Sequence, residues 1–439
     1  MENELFEKTS IPKAYMKFAI PVVLSCVLTL VYNMVDMFFV AKTKNTNLVA
    51  GVSLCGPIFT LLVAMGDILG LGGSSVISRL FGQNKMKDAS RLSVFCFWGS
   101  VVIGLCVTCI LLVFNSSILH VLGATEDTIT YASDYLKWIA IGAPIIVFSL
   151  TPTNLLRTEG LASQAMIGSI TGSIVNMILD PVFIFGFKMG AGGAAIATVL
   201  GNVCADIYYI YVLTHKSKCL TLSLKGFSIS GSELLAILSI GIPSSITNIM
   251  SSIGSTVLNR FLLPYGSNQI AAMGIVSRVT MIVTMIMVGF SFGGQPLYGY
   301  LYGAKNKERL HEVIRFAYKT VCSLALVASV VLILLAPQMI SIFMSDSAII
   351  QTGSMMLRIM LCGMVFIGVT LVTTCIFQSC GNATGSFALS AGRQGYIFIV
   401  VMFILSNVLG YTGILIAQPV SDACTAVLAI VLFKRFFKD

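Results

Sequence analysis

Two short stretches of this sequence pair a carboxylate with an amide one helical turn away: Tyr32-Asn33-Met-Val-Asp36 and Asn176-Met-Ile-Leu-Asp180-Pro181. On a helix, residues three or four apart share a face, so Asn33 is placed beside Asp36 and Asn176 beside Asp180. Both motifs lie inside long apolar runs, where a charged side chain at the centre of a membrane helix costs at least about 2.5–3.5 kcal/mol. A carboxylate that persists there calls for a reason, either packing and helix registration or ion chemistry. Two carboxyls in one dry site cannot both hold charge easily, which suits proton exchange. Oxygen ligands from Asp, Asn and a hydroxyl such as Thr198 would equally suit a sodium ion.

Other chemistry is poorly represented. Most of the twelve cysteines lie in apolar runs, where a free thiol behaves as a small hydrophobe, and Cys106-Val-Thr-Cys109 is the one CxxC. His120, His215 and His311 fall in separate connections, so neither a HExxH zinc site nor a triad can be assembled. Gly70-Leu-Gly-Gly73 and Gly190-Ala-Gly-Gly193 imitate phosphate loops but lie within or beside apolar spans with no strand before them, which points to close helix packing. No enzyme activity and no cofactor are expected.

The elements that position these residues follow from composition. Apolar residues make up 56% of the chain and charged residues 10%, against roughly 25% charged in a soluble domain. Mean hydropathy is +0.93. Runs of about 20 apolar residues recur, each long enough to cross a bilayer as a helix that satisfies its own backbone. Twelve spans are expected, near Phe18–Val40, Ser53–Leu80, Leu92–Phe114, Tyr131–Leu155, Ala165–Phe187, Gly192–Leu213, Leu234–Leu263, Ile270–Leu301, Phe316–Ala336, Met355–Phe377, Ser386–Val408 and Thr412–Phe433. Met1–Ser10 is acidic and polar rather than a basic leader, so the first span is expected to stay in the mature protein.

Net charge is +9, concentrated before span 1 (Lys8, Lys13, Lys17), after spans 2, 6 and 8, and at the end (Lys434, Arg435, Lys438). With alternating spans all these positions share one side, and the loop after span 3 carries Glu126 and Asp127. By the positive-inside rule both termini are expected to be cytoplasmic in a multi-pass cell-membrane protein. A nucleic-acid-binding face would not be scattered in this way.

The second half repeats the first at an offset of roughly 221 residues. Ile20-Pro21 recurs as Ile242-Pro243; Gly72-Gly73 and Gly82 recur as Gly293-Gly294 and Gly303; Leu136–Gly160 corresponds to Leu357–Gly381 and Gly193–Ala197 to Gly413–Ala417. Six spans per repeat give both halves the same topology, so two six-helix lobes, residues 1–219 and 220–439, are expected about a pseudo-two-fold axis along the membrane normal, joined by the polar stretch Thr214–Ser232. The acids break this symmetry. Leu258 stands at the equivalent of Asp36 and an apolar residue near Val401 at that of Asp180, which favours ion coupling over a shared structural role.

These motifs, with Gly193-Ala-Ala-Ile-Ala-Thr198 and Asn154-Leu-Leu-Arg157-Thr-Glu-Gly160, resemble the multidrug and toxic compound extrusion (MATE) transporters over essentially the whole chain, and most of all their bacterial DinF and MepA-like branch. The resemblance implies export of cationic or amphipathic drugs by a monomer, by antiport against protons or sodium and rocker-type alternating access. It implies a first-lobe cation site at Asp36, Asn176, Asp180 and Thr198 with Asn154 in the surrounding network, and a bending proline at Pro21. The acids that other branches carry in helices 7 and 10 are absent, with Ser251 and Val369 near those positions, so no second-lobe site of that kind is expected.

Further cavity candidates are Tyr32, Asn33, Met281, Met285, Phe290 and Arg393. Thioethers and aromatic rings suit promiscuous binding, while Arg393, like Arg278, could snorkel to an interface or hold an anionic group. Asp67, Asp206 and Asp422 are either cavity residues or hydrated interface residues. A flippase for a lipid-linked precursor is the alternative function, disfavoured because the spans hold few arginines with which to grip pyrophosphate.

Overall fold

The computed structural model describes residues 6–225, 227–344 and 346–438. The first five residues, part of the acidic and polar Met1–Ser10 stretch, lie outside them, as does residue 226 of the linker. Among the described residues no strand occurs. The first half holds α1 (Ile11–Lys42), α2 (Thr46–Gly82), α3 (Met86–Val113), α4 (Ile129–Thr158), α5 (Ala162–Gly186) and α6 (Gly190–His215). The second holds α7 (Gly231–Tyr265), α8 (Asn268–Gly303), α9 (Lys307–Leu334), α10 (Ser347–Leu361 and Met364–Cys380, bent by 43°) and a 54-residue segment, Ala383–Phe436.

That last segment is two helices, α11 (residues 383–409) and α12 (residues 411–436). At Gly410 φ is +56° and ψ is −129°, a conformation that glycine alone adopts readily, and the chain doubles back. The Ser421 hydroxyl accordingly reaches the Arg393 carbonyl at 3.2 Å. Twelve crossings result among the described residues, with the final reversal between the two spans read from hydropathy.

Helices overrun the expected spans because hydropathy registers only the stretch that lipid covers, while polar caps carry the helix into the interface. Ser230 and Glu233 form a reciprocal capping box that starts α7 at Gly231 rather than Leu234. Asn306 and Asp346 cap α9 and the first part of α10 more simply, each side chain accepting backbone amides of the first turn.

The halves meet through α1 against α8 and α2 against α7, pairs that the repeat interchanges. One of their close approaches is at the end of the molecule where the first and last described residues lie, here called the terminal face. A Cβ on Gly82 would fall on the Tyr300 carbonyl, and one on Gly303 would fall on the Arg79 carbonyl. Gly82 and Gly303 are repeat equivalents, and so are Arg79 and Tyr300, so the contact is reciprocal, as a two-fold axis requires. Two hydrogen bonds cross between the halves, from Ser75 to the Gln378 carbonyl and from Ser245 to the Ala64 carbonyl at 2.6 Å; within the second half Gln295 donates to the Gln378 side chain at 2.7 Å and Gln378 to Ser244 at 3.0 Å.

The linker is fastened to the first half. Glu159, in the turn after α4, accepts the Lys218 and Cys219 amides at 2.8 Å each and the Ser217 hydroxyl at 2.6 Å. Arg91 at the start of α3 pairs with Glu233 of α7, tying the halves together at the same face.

Candidate functional site: two facing carboxyls in the first half

Three helices converge on the acidic motifs. α5 and α6 cross at Gly172 and Gly201, where a Cβ on Gly201 would lie 2.6 Å from the Gly172 carbonyl and 3.0 Å from the Asn176 Cβ. Small residues at such a crossing let backbones approach, and this one sets Asn176 against Thr198 of α6. Pro181 has no N–H to continue the ladder, and the next turn, Val182–Gly186, opens into a π-helix. α1 lies along α5 and contributes Tyr32 and Asp36.

Within this cluster the Asp36 and Asp180 carboxyls lie in hydrogen-bonding reach of each other. Asp180 is 0% exposed, Asn176 2% and Thr198 3%. The Asn176 amide donates to the Thr198 hydroxyl at 3.2 Å, which itself donates to the Ala194 carbonyl at 3.0 Å. Tyr32 comes within reach of the same hydroxyl. Asp36 Oδ1, both Asp180 oxygens and Asn176 Oδ1 are buried without a donor. Buried acceptors are nearly always hydrogen-bonded, and ionised carboxylates can only accept. A proton shared between the carboxyls or a hard cation among the four oxygens would satisfy them.

Tyr135 of α4 completes the surroundings, close enough to feel both carboxyls. Sequence reasoning missed it. The half-to-half comparison that singled out the acids would have found it too, since Tyr135 aligns with Met356.

The other candidates are placed as follows. Asn33 is exposed on α1 and makes no hydrogen bond to Asp36 among the described contacts. The Asn154 amide donates to the Leu150 carbonyl at 2.9 Å and packs over Gly70 of α2. Pro21 is buried in an α1 that runs on unbroken through it, between Ala19 and Val23, which sit against Gly293 and Gly289 of α8. On α8, Met281 is exposed while Met285 and Phe290 are half-buried, and the Phe290 carbonyl accepts the Tyr15 hydroxyl at 2.7 Å.

Arg393 does not reach an interface; the anionic group it meets belongs to the chain itself. It pairs with Asp422 at 3.4 Å, and Gln418 donates to the same carboxylate at 3.2 Å. Asp206 accepts the Ser149 hydroxyl at 2.5 Å, and Asp67 on α2 is near Arg157 of α4.

Twelve crossings among the described residues, in two repeated halves, with two buried acids facing each other in the first, define a helical membrane transporter. The chain belongs to the MatE family, whose profile matches residues 21–182 and again residues 243–404. Among curated proteins it is similar to the multidrug export protein MepA of Staphylococcus saprophyticus, at 29% identity over 97% of this chain and 94% of that one. A solved outward-facing multidrug resistance MATE transporter of the MOP superfamily superposes with a TM-score of 0.94 at 27% identity, covering 100% of this chain and 98% of that chain. A Pyrococcus furiosus MOP-superfamily transporter, whose solved structure is described as having a binding pocket of reverse polarity suggesting a different function, gives a TM-score of 0.90 at 27% identity over 99% and 97% of the two chains.

Proposed function

We propose that this transporter exports organic cations, drugs among them, by antiport against protons or sodium bound at Asp36, Asn176, Asp180 and Thr198. The observation that carries the reading is the pair of facing carboxyls whose buried oxygens have no donor. Loading a proton or sodium ion removes the buried charge, and unloading restores it. Each ligand must bias the same two-state equilibrium in opposite directions, because a ligand of equal affinity for both states shifts nothing.

Residues 1–219 and 220–439 act as two lobes rocking about the midplane, with the terminal face cytoplasmic. The sealed seam at Gly82 and Gly303 makes this conformation outward-facing, a reading supported by the similarity to the outward-facing relative. Pro21 lies where α1 leaves the second half for the first, a suitable place for α1 to bend during the cycle.

Fold alone does not choose between this and a flippase, since a protein of similar fold is described as reversed in pocket polarity. Charge decides. The buried acceptors left without a donor at the site are carboxylate and amide oxygens, and Arg393 is engaged by Asp422. In proteoliposomes, ethidium transport driven separately by a pH and a sodium gradient should respond to one of them, and Asp36→Asn and Asp180→Asn should abolish it in folded protein. Full transport in both variants overturns the reading.

A further inference from the structure

A second carboxylate site opens elsewhere on the first half. Between α3, α4, α6 and the linker lies a groove of about 390 Å³ whose walls include Phe97, Trp98, Phe148, Val203 and Ile207. Its one ionisable lining residue is Asp206, 8% exposed, which accepts the Ser149 hydroxyl. Trp98 is 43% and Ile207 62% exposed, so the groove opens outward on the flank of the bundle.

Depth follows from position. Asp206 stands nine residues before the terminal-face end of α6 at His215, about 13 Å along the axis, and so lies at the level of acyl chains in one leaflet. It is eight residues, about 12 Å, from Thr198 and the facing carboxyls, which are reached through other helices. The Trp98 indole donates to the Leu222 carbonyl at 3.0 Å and holds the linker across the groove end.

We infer that this groove is a membrane-side binding site for a lipophilic monocation, an aromatic or alkyl body bearing an amine or onium centre, taken from the leaflet on the terminal side. An acyl chain would fill the apolar walls but offer the Asp206 carboxyl no counter-charge, leaving it to keep its proton. A cation with an apolar body satisfies both, and three aromatic rings add cation–π faces. The inference rests on the reading that organic cations are substrates and that the terminal face is cytoplasmic. The groove then collects them from the inner leaflet before they reach the facing carboxyls.

The chain has two tryptophans, so Trp138→Phe leaves Trp98 in the groove wall as the sole reporter. Full-length protein in phosphatidylcholine nanodiscs is titrated with tetraphenylphosphonium and with tetraphenylborate, ions of one shape and opposite charge. A saturable change in Trp98 emission is expected for the phosphonium alone. Asp206→Asn should weaken it at least tenfold, Val203→Phe should block it sterically with the carboxylate kept, and Asp36→Asn should leave it intact. Equal responses to both ions, an unaltered response in both groove variants, or a response that follows Asp36 instead overturns the inference. So does an Asp206-dependent response to phosphatidylethanolamine alone, which would make the occupant a lipid amine. Phosphonium binding without any transport would sustain this site and remove the transport reading; transport without a Trp98 response would do the reverse.

Discussion

Each half of the molecule buries a carboxylate between its last two helices, and the two are treated differently. Asp180 in the first half faces another carboxyl, and neither is given a cation. Asp422 in the second half is held by Arg393 and Gln418. Gln418 and Asp422 occupy the repeat positions of Thr198 and Asn202, so the same scaffold supports both arrangements. A buried acid with its counter-charge built in is electrically complete. One facing another acid has to obtain a charge from outside, and that distinguishes a place to bind ions from a place to pin helices together.

The comparison can be broken most sharply at the acids themselves. Asp180→Asn and Asp36→Asn should each abolish coupled transport while leaving thermal stability unchanged or raised, since each removes repulsion from a dry site. Stability lost in parallel with transport would mean that the first-half acids are structural. Arg393→Leu should do the opposite, destabilising the protein by about 3–5 kcal/mol because a buried charge loses its partner. The double variant Arg393→Leu, Asp422→Leu should regain most of this in a denaturation assay. If Arg393→Leu is neutral, the pair holds nothing and the contrast between the halves collapses.

The two halves should behave alike at their common seam. Gly82→Val and Gly303→Val each drive a side chain into the opposite backbone, so both should open the terminal face, read as raised labelling of a cysteine placed at Ser78. Unequal effects would show that the seam is less symmetric than the repeat. The smallest effect is expected at Thr198→Val, which deletes the acceptor of the Asn176 amide. A cost of about 1 kcal/mol and a several-fold weaker dependence on the driving ion should follow. Unchanged ion dependence would remove Thr198 from the site.

Much of this was legible in one dimension. Lipid requires long helices of apolar residues, so composition and run length predict the crossings, and Gly410 marks the last reversal because it falls between two such runs. The asymmetry of the acids emerged from aligning the repeat, since a difference between equivalent positions is visible without coordinates. Amide neighbours were less legible. Asn176 joins the cluster but Asn33 does not, although both share a helix face with an acid, because helical spacing says nothing about what lies opposite that face.

What this sequence determined alone is the medium, the twelve apolar crossings, the internal repeat and the half in which unshared acids reside. Those follow from local hydropathy and from self-similarity, properties of residue order. Tertiary structure alone decided which charge meets which: that Asp36 meets Asp180, and that Arg393 closes on Asp422 instead of reaching an interface. Partner choice depends on the rotation and depth of helices far apart in sequence, and those are set by glycine-mediated crossings such as Gly172 on Gly201, where backbones approach closely enough to fix what their neighbours touch.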